Sequence, residues 1–193
     1  GIHGDEREGR VSATELPRAL QEIPGAVDEV TLVILEDVNP DGTARNTRTN
    51  ARHVDLNRNY PFRWHSLGEE GSSSEGTSSY YRGAHAASEP EVKAMMALAE
   101  RERFLASISY HTGTVCILAP YTIDEVENPS PNEAWEIGEE ISRAMPSTDR
   151  QSGRLVVISR SSTASDGSSL LAGLAWLAGT GIWSNPEPKS YIL

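Results

Sequence analysis

Phe104-Leu105-Ala106-Ser107-Ile108-Ser109-Tyr110-His111 is the stretch on which the fold turns. It is apolar, rich in strand-forming residues and short, and reads as a buried strand. A helical pattern leads into it, opening at Ser88-Glu89-Pro90-Glu91 and carrying Val92, Met95, Met96 and Leu98 toward Arg101. Ser88 is the expected N-cap, with Pro90 in the first turn and Glu91 completing a capping box. A helix that hands over to a buried strand ending in histidine fits an α/β sheet, where site residues collect at strand ends.

The alternation continues in both directions. Thr14 to Glu22 carries Leu16, Ala19 and Leu20 at helical spacing, with Ser12 or Thr14 as cap and Pro24-Gly25 as stop. Val30 to Leu35 reads as a buried strand, closed by a turn at Asn39-Pro40-Asp41-Gly42. Thr43 to Gly83 is a long irregular region, a length that in a compact domain signals function or disorder. Within it the Ser-rich stretch 71–79 reads as a flexible surface insertion. Strands are expected again at Val115 to Leu118 and Arg154 to Ser159, an amphipathic helix at Asn132 to Met145, and a short apolar helix at Leu170 to Leu177. The predicted fold class is α/β: three layers, with a mixed, mostly parallel twisted central sheet and helices on both faces.

At 193 residues and 37% hydrophobic content, one sizeable core and a single domain over 1–193 are the default. Asp and Glu number 28 against 17 Lys and Arg, a formal charge of -11 that argues against nucleic acid or an anionic membrane as general partner. No stretch is long and apolar enough to span a bilayer. The lone Cys116 lies in an apolar run and reads as a small buried hydrophobe. Gly1 opens inside what reads as the end of a strand, and Ser190-Tyr191-Ile192-Leu193 reads as the beginning of another, so both termini are expected to be cut points within a larger domain.

The chemistry gathers at three places. His3 and Glu6, in His3-Gly4-Asp5-Glu6, stand one helical turn or tight loop apart, and both side chains can face one point. With His111 they form a two-histidine, one-carboxylate set, which leaves a zinc ion its open fourth position. The alternative is a pair of solvated polar residues. In an otherwise acidic chain, Arg45, Arg48, Arg52, Arg58 and Arg63 concentrate positive charge between 45 and 63. Such forks suit an anionic group of a substrate, or else pair with the surplus carboxylates.

Arg48-Thr49-Asn50-Ala51-Arg52-His53-Val54-Asp55-Leu56-Asn57-Arg58-Asn59-Tyr60-Pro61 resembles the Arg-x-Asn and Asp-Leu-Asn-Arg-Asn-Phe-Pro motif of zinc carboxypeptidases of the carboxypeptidase A superfamily, with an N/E-branch flavour. His3-Gly4-Asp5-Glu6-Arg7-Glu8-Gly9-Arg10 is similar to that branch's zinc motif. Asn39-Pro40-Asp41-Gly42 and Ser88-Glu89-Pro90-Glu91 match two further motifs in the family's order. The resemblance implies that His3, Glu6 and His111 hold one zinc ion. It implies that Asn57 and Arg58 bind the free carboxylate of a peptide's terminal residue, and that Arg48 stabilises the oxyanion. Asp55 is expected behind the ligands, orienting a histidine.

The last third departs from the family. The general-base Glu is expected beyond Leu193, after the strand-like Ser190 to Leu193, and Glu187 between two prolines is a poor substitute. No tyrosine stands at the family's mobile-tyrosine position near 161–167; Tyr121 is another pocket candidate, and the pocket for the terminal side chain is expected near 162–171. Three functions follow: a zinc carboxypeptidase acting on peptides with a free C-terminal carboxylate; a related zinc amidohydrolase, deacylase or peptidoglycan stem-peptide hydrolase; and a non-catalytic zinc- or peptide-binding module. Export from the cytoplasm is an expectation of the resemblance alone. Oligomeric state is left open.

Overall fold

Ser12 and Thr14 do not cap a helix. Each hydroxyl donates back to the carbonyl four residues earlier, Ser12 to Glu8 and Thr14 to Arg10, both at 3.0 Å. That bond belongs to a helix interior. Helix α1 accordingly spans Arg7–Gln21, starting seven residues before the expected Thr14, with Pro17 inside it and Glu6 at its N-cap. The structure is a computed structural model that describes residues 1–25, 27–28, 31–65, 71–104, 106–112, 116–118, 136–138, 140–141, 156–158 and 190–192.

Asn39-Pro40-Asp41-Gly42, expected as a turn, starts a helix. Asn39 caps α2 (Pro40–Arg45), its side-chain oxygen accepting the Gly42 N–H at 2.9 Å, and Pro40 occupies the first turn, where its missing donor costs nothing. A 3-10 turn, Leu56–Arg58, follows, with Asp55 capping it through the Asn57 N–H. Side-chain caps thus open both α2 and the 3-10 turn, in and beside a stretch expected to be irregular. The 71–79 stretch, expected as a flexible insertion, has Gly71, Ser72 and Ser73 buried while Ser74 to Thr77 are exposed. Ser73 bridges to Tyr81.

Helix α3 runs Pro90–Glu102. The expected capping box does not form, because its two members have better partners: Ser88 Oγ donates to Glu89 at 2.7 Å, and Glu91 accepts from Asn50 at 3.2 Å. Glu89 is the N-cap residue, without a side-chain cap bond. Arg103 closes the helix in the left-handed conformation at φ 52.

The strands lie within the predicted runs: β1 (Thr31–Val33), β2 (Ala106–Ser107), β3 (Cys116–Leu118), β4 (Val156–Ile158) and β5 (Ser190–Ile192). β5 lies between β1 and β2, parallel to both, and β3 pairs parallel with β4. All strand pairs among the described residues are thus parallel. Leu56, Tyr60, Val92, Ala99 and Phe104 form the buried cluster, packing α3 over the 3-10 turn. Residues 136–138 and 140–141 are helical. The expectations for Tyr121, 161–167, 162–171, Leu170 to Leu177 and Glu187 lie outside the described residues.

Candidate metal and carboxylate site

The three expected metal ligands meet. His3, Glu6 and His111 each offer a ligand atom, and these atoms lie within 4.8 Å of one another. His3 Nδ1 is 2.7 Å from Glu6 Oε1, and His111 Nδ1 is 2.8 Å from Oε2. The Thr112 N–H donates to Oε2 at 3.1 Å. Two close approaches make this convergence possible. Gly4, between the two ligands, lies so near the backbone of Gly42 and Thr43 that a Cβ would run into it, and a Cβ on Gly9 would stand 2.8 Å from the Tyr110 carbonyl oxygen. The first brings the ligand loop onto α2; the second brings α1 onto the segment that carries His111.

Asn39, fully buried, ties these pieces together. Its Nδ2 donates to the Ile2 carbonyl at 3.1 Å and to that of Arg48 at 3.4 Å, and its backbone N–H reaches the Gly1 carbonyl at 3.0 Å.

Asp55 stands behind the ligands with no exposed surface. Its Oδ1 is 3.1 Å from His3 Nε2 and accepts the Asn57 N–H at 2.9 Å, while Oδ2 accepts Arg48 Nε at 2.8 Å. Arg48 Nη1 reaches Glu6 at 3.4 Å and His3 Nδ1 at 3.3 Å. Asn57 and Arg58 are both buried in the 3-10 turn. Arg58 Nε donates to the Gly71 carbonyl at 2.6 Å and Nη1 to that of Asn57 at 3.1 Å. The Nη2 atoms of Arg48 and Arg58 are buried with no hydrogen-bond partner among the described residues.

The electrostatics follow from this packing. Burial alone would raise the Glu6 pKa, but hydrogen bonds from His111 and His3 outweigh it and hold the carboxyl well below its ordinary range. Asp55 behaves likewise: burial opposes its charge, and the His3 hydrogen bond, with the charges of His3, Arg58 and Arg48, prevails. Burial also disfavours the His3 cation, yet its bonds to Asp55 and Glu6 raise its pKa; in His111 burial wins and lowers it. Burial brings Arg58 down to about 10, against the pull of Asp55, so it stays a cation at neutral pH.

This donor set fits a divalent cation. A carboxylate has no proton to give, so His3, with one nitrogen on Glu6 and the other on Asp55, needs a proton on both. A metal ion in place of the Nδ1 proton leaves a neutral imidazole whose Nε2–H donates to Asp55, the usual support for a ligand histidine.

One functional candidate lay outside the sequence reading. The Tyr80 ring sits against the guanidinium carbons of both Arg48 and Arg58, at 5.2 and 5.7 Å from its centroid. The adjacent tyrosines in Tyr80-Tyr81, closing a serine-rich stretch, were the available signal.

Parallel strands between helices, with two histidines and a glutamate converging in front of a buried aspartate and two arginines, define an α/β protein with a candidate metal site. The zinc carboxypeptidase family profile matches residues 1–176, and the chain belongs to that family, whose metal is zinc. Murein peptide amidase A of Escherichia coli K12 is 34% identical over 130 residues, covering 62% of this chain and 50% of its own length. Carboxypeptidase SOL1 of Arabidopsis thaliana is 30% identical over 127 residues, covering 62% of this chain and 23% of its own. The chain therefore spans half or less of the length of these relatives. Among solved structures, bovine thrombin-activatable fibrinolysis inhibitor, in complex with tick carboxypeptidase inhibitor, matches with a TM-score of 0.73 at 24% identity over 100% of this chain and 69% of that one. Carboxypeptidase A from Helicoverpa armigera matches at 0.61 and 21% identity, over 97% of this chain and 60% of that one. The fold is the α/β fold of these carboxypeptidases.

Proposed function

We propose that the protein is a zinc-dependent carboxypeptidase that hydrolyses the last peptide bond of peptides ending in a free carboxylate. The observation that carries this reading is the pairing of the His3, Glu6 and His111 cluster with Arg58, a buried cation whose Nη2 has no partner among the described residues. A buried donor without an acceptor costs about 1–3 kcal/mol, and a substrate carboxylate would relieve that cost.

His3, Glu6 and His111 would hold the zinc, which when bound polarises the scissile carbonyl and lowers the pKa of water. Asp55 keeps His3 in the tautomer that presents Nδ1. Arg48, anchored by Asp55 through Nε, keeps Nη2 free for negative charge developing on the carbonyl oxygen. Asn57 and Arg58 would take the terminal carboxylate, Arg58 by its planar fork. No helix among the described residues is long and apolar enough to cross a membrane.

The similarity to murein peptide amidase A favours a second reading, in which the same site cleaves an amide bond in a murein peptide. One assay separates the two: the full protein is given a peptide with a free C-terminus, the same peptide amidated, and a murein peptide. Cleavage of the free-carboxyl peptide, with the amidated form turned over at least about 100-fold more slowly, is the expected result, since a lost charge-assisted pair costs about 3 kcal/mol. Equal cleavage of both forms would sink the exopeptidase reading, and turnover of the murein peptide alone would favour the amidase.

A further inference from the structure

Tyr80 belongs to none of the motifs that mark the site, yet its ring is a surface that Arg48 and Arg58 share. Each arginine is held through Nε and Nη1: Arg48 to Asp55, His3 and Glu6, and Arg58 to the carbonyls of Gly71 and Asn57. Each keeps a buried Nη2 without a partner among the described residues. Guanidinium hydrogen bonds are directed in the plane of the fork, and contact with an aromatic face adds a restraint on motion out of that plane. The two cations also repel one another, and the negative face of the ring offsets part of that repulsion. Tyr80 is itself fixed from both sides: its carbonyl accepts the Ser73 N–H at 2.9 Å, and its N–H reaches Ser78 Oγ at 3.1 Å.

We propose that Tyr80 is a positioning residue that couples Arg48 and Arg58 through its ring, so that the oxyanion group and the terminal-carboxylate group act as one double clamp selecting C-terminal carboxylates. The inference rests on the reading above, in which these two arginines face the substrate. It makes the aromatic face, and not the phenol hydroxyl, the working part. The buried start of the 71–82 segment then serves the clamp as well, since Gly71 accepts from Arg58 and Ser73 holds the backbone of Tyr80.

The test is calorimetric binding of two short peptides, identical except for a free or an amidated C-terminus and made uncleavable at the last bond by N-methylation. They are titrated into the zinc-loaded protein and into its Tyr80→Phe, Tyr80→Leu and Tyr80→Met variants. Wild type and Tyr80→Phe are expected to prefer the free carboxylate by the same ratio. Tyr80→Leu and Tyr80→Met are expected to lose about tenfold of that ratio with zinc content unchanged, the scale of partly buried cation–π contacts. The inference is overturned if the leucine and methionine variants keep the ratio, or if phenylalanine loses as much as they do. Loss of folding in both non-aromatic variants also overturns it, because the ring would then support the fold instead of the clamp. Equal binding of the two peptides by the wild type is a separate outcome: it removes the carboxylate-clamp reading itself, and the coupling with it.

Discussion

Arg48 and Asp55 touch each other and the same candidate ligand, His3, and they are expected to fail in different ways. Arg48 keeps an Nη2 unpartnered among the described residues beside the candidate metal cluster, while the cluster's own contacts run through Glu6. Arg48→Ala is therefore expected to lower turnover by about 100-fold or more, the cost of one oxyanion donor, with zinc content little changed. Full turnover in that variant would remove the role. Asp55 has no exposed surface and holds both His3 Nε2 and Arg48 Nε. Asp55→Asn keeps the shape but removes the charge, and is expected to weaken zinc binding by about 10- to 100-fold, read by competition with a chromogenic chelator. An unchanged affinity would mean that Asp55 serves Arg48 alone.

Close backbone approaches help to arrange the elements around the site. Gly4 packs on the N-terminal turn of α2, with backbone and not a yielding side chain opposite it. Gly4→Ala is expected to force the ligand loop off α2, costing about 1–3 kcal/mol. Both the melting temperature and the zinc affinity should fall, because His3 and Glu6 flank the displaced residue. A variant with weaker folding but native zinc affinity would show that the loop can move without carrying its ligands. The existence and order of the strands, α1 and α3 were legible in the sequence from hydrophobic runs such as Val30 to Leu35 and Val92 to Leu98, whereas α2 and the 3-10 turn were not. Their boundaries were less so. Ser12, Thr14 and Ser88 have the chemistry of caps, but a hydroxyl takes the nearest suitable acceptor, and only the folded chain shows which carbonyl or carboxylate that is.

On the scale of the molecule, the groups proposed to hold zinc are also the ones whose protonation is most perturbed. Zinc in about thousandfold excess over its Kd is expected to add about 4 kcal/mol to stability. In a chain of this size that is about 10 °C in Tm, to be lost on chelation. Identical melting with and without chelator would argue against a metal site. In the chelated protein the acid limb has a definite sign. The Glu6 and Asp55 carboxyls are held below their ordinary values of 4.5 and 3.8, so on acidification the unfolded chain takes up protons first. The stability they contribute is full above about pH 5 and is lost as pH falls toward the depressed values. Tm is expected to drop across that window, and to drop less steeply in Asp55→Asn. His3 and His111 shift in opposite directions, so their contributions at higher pH oppose each other.

By itself the sequence determined the α/β class, the family resemblance and the identity of the candidate ligands, because hydrophobic period and fixed motif spacing are local properties of a chain. It named His3, Glu6, His111, Arg48, Asn57 and Arg58, and it placed Asp55 behind a histidine. The tertiary structure alone decided that 105 positions of separation close to a 2.8 Å contact between Glu6 and His111, and that two glycine approaches permit it. It also decided that a tyrosine from a serine-rich loop lies against both arginines. Such contacts depend on which surfaces the packed core brings together, and a distance through space between remote residues leaves no period in the sequence to read.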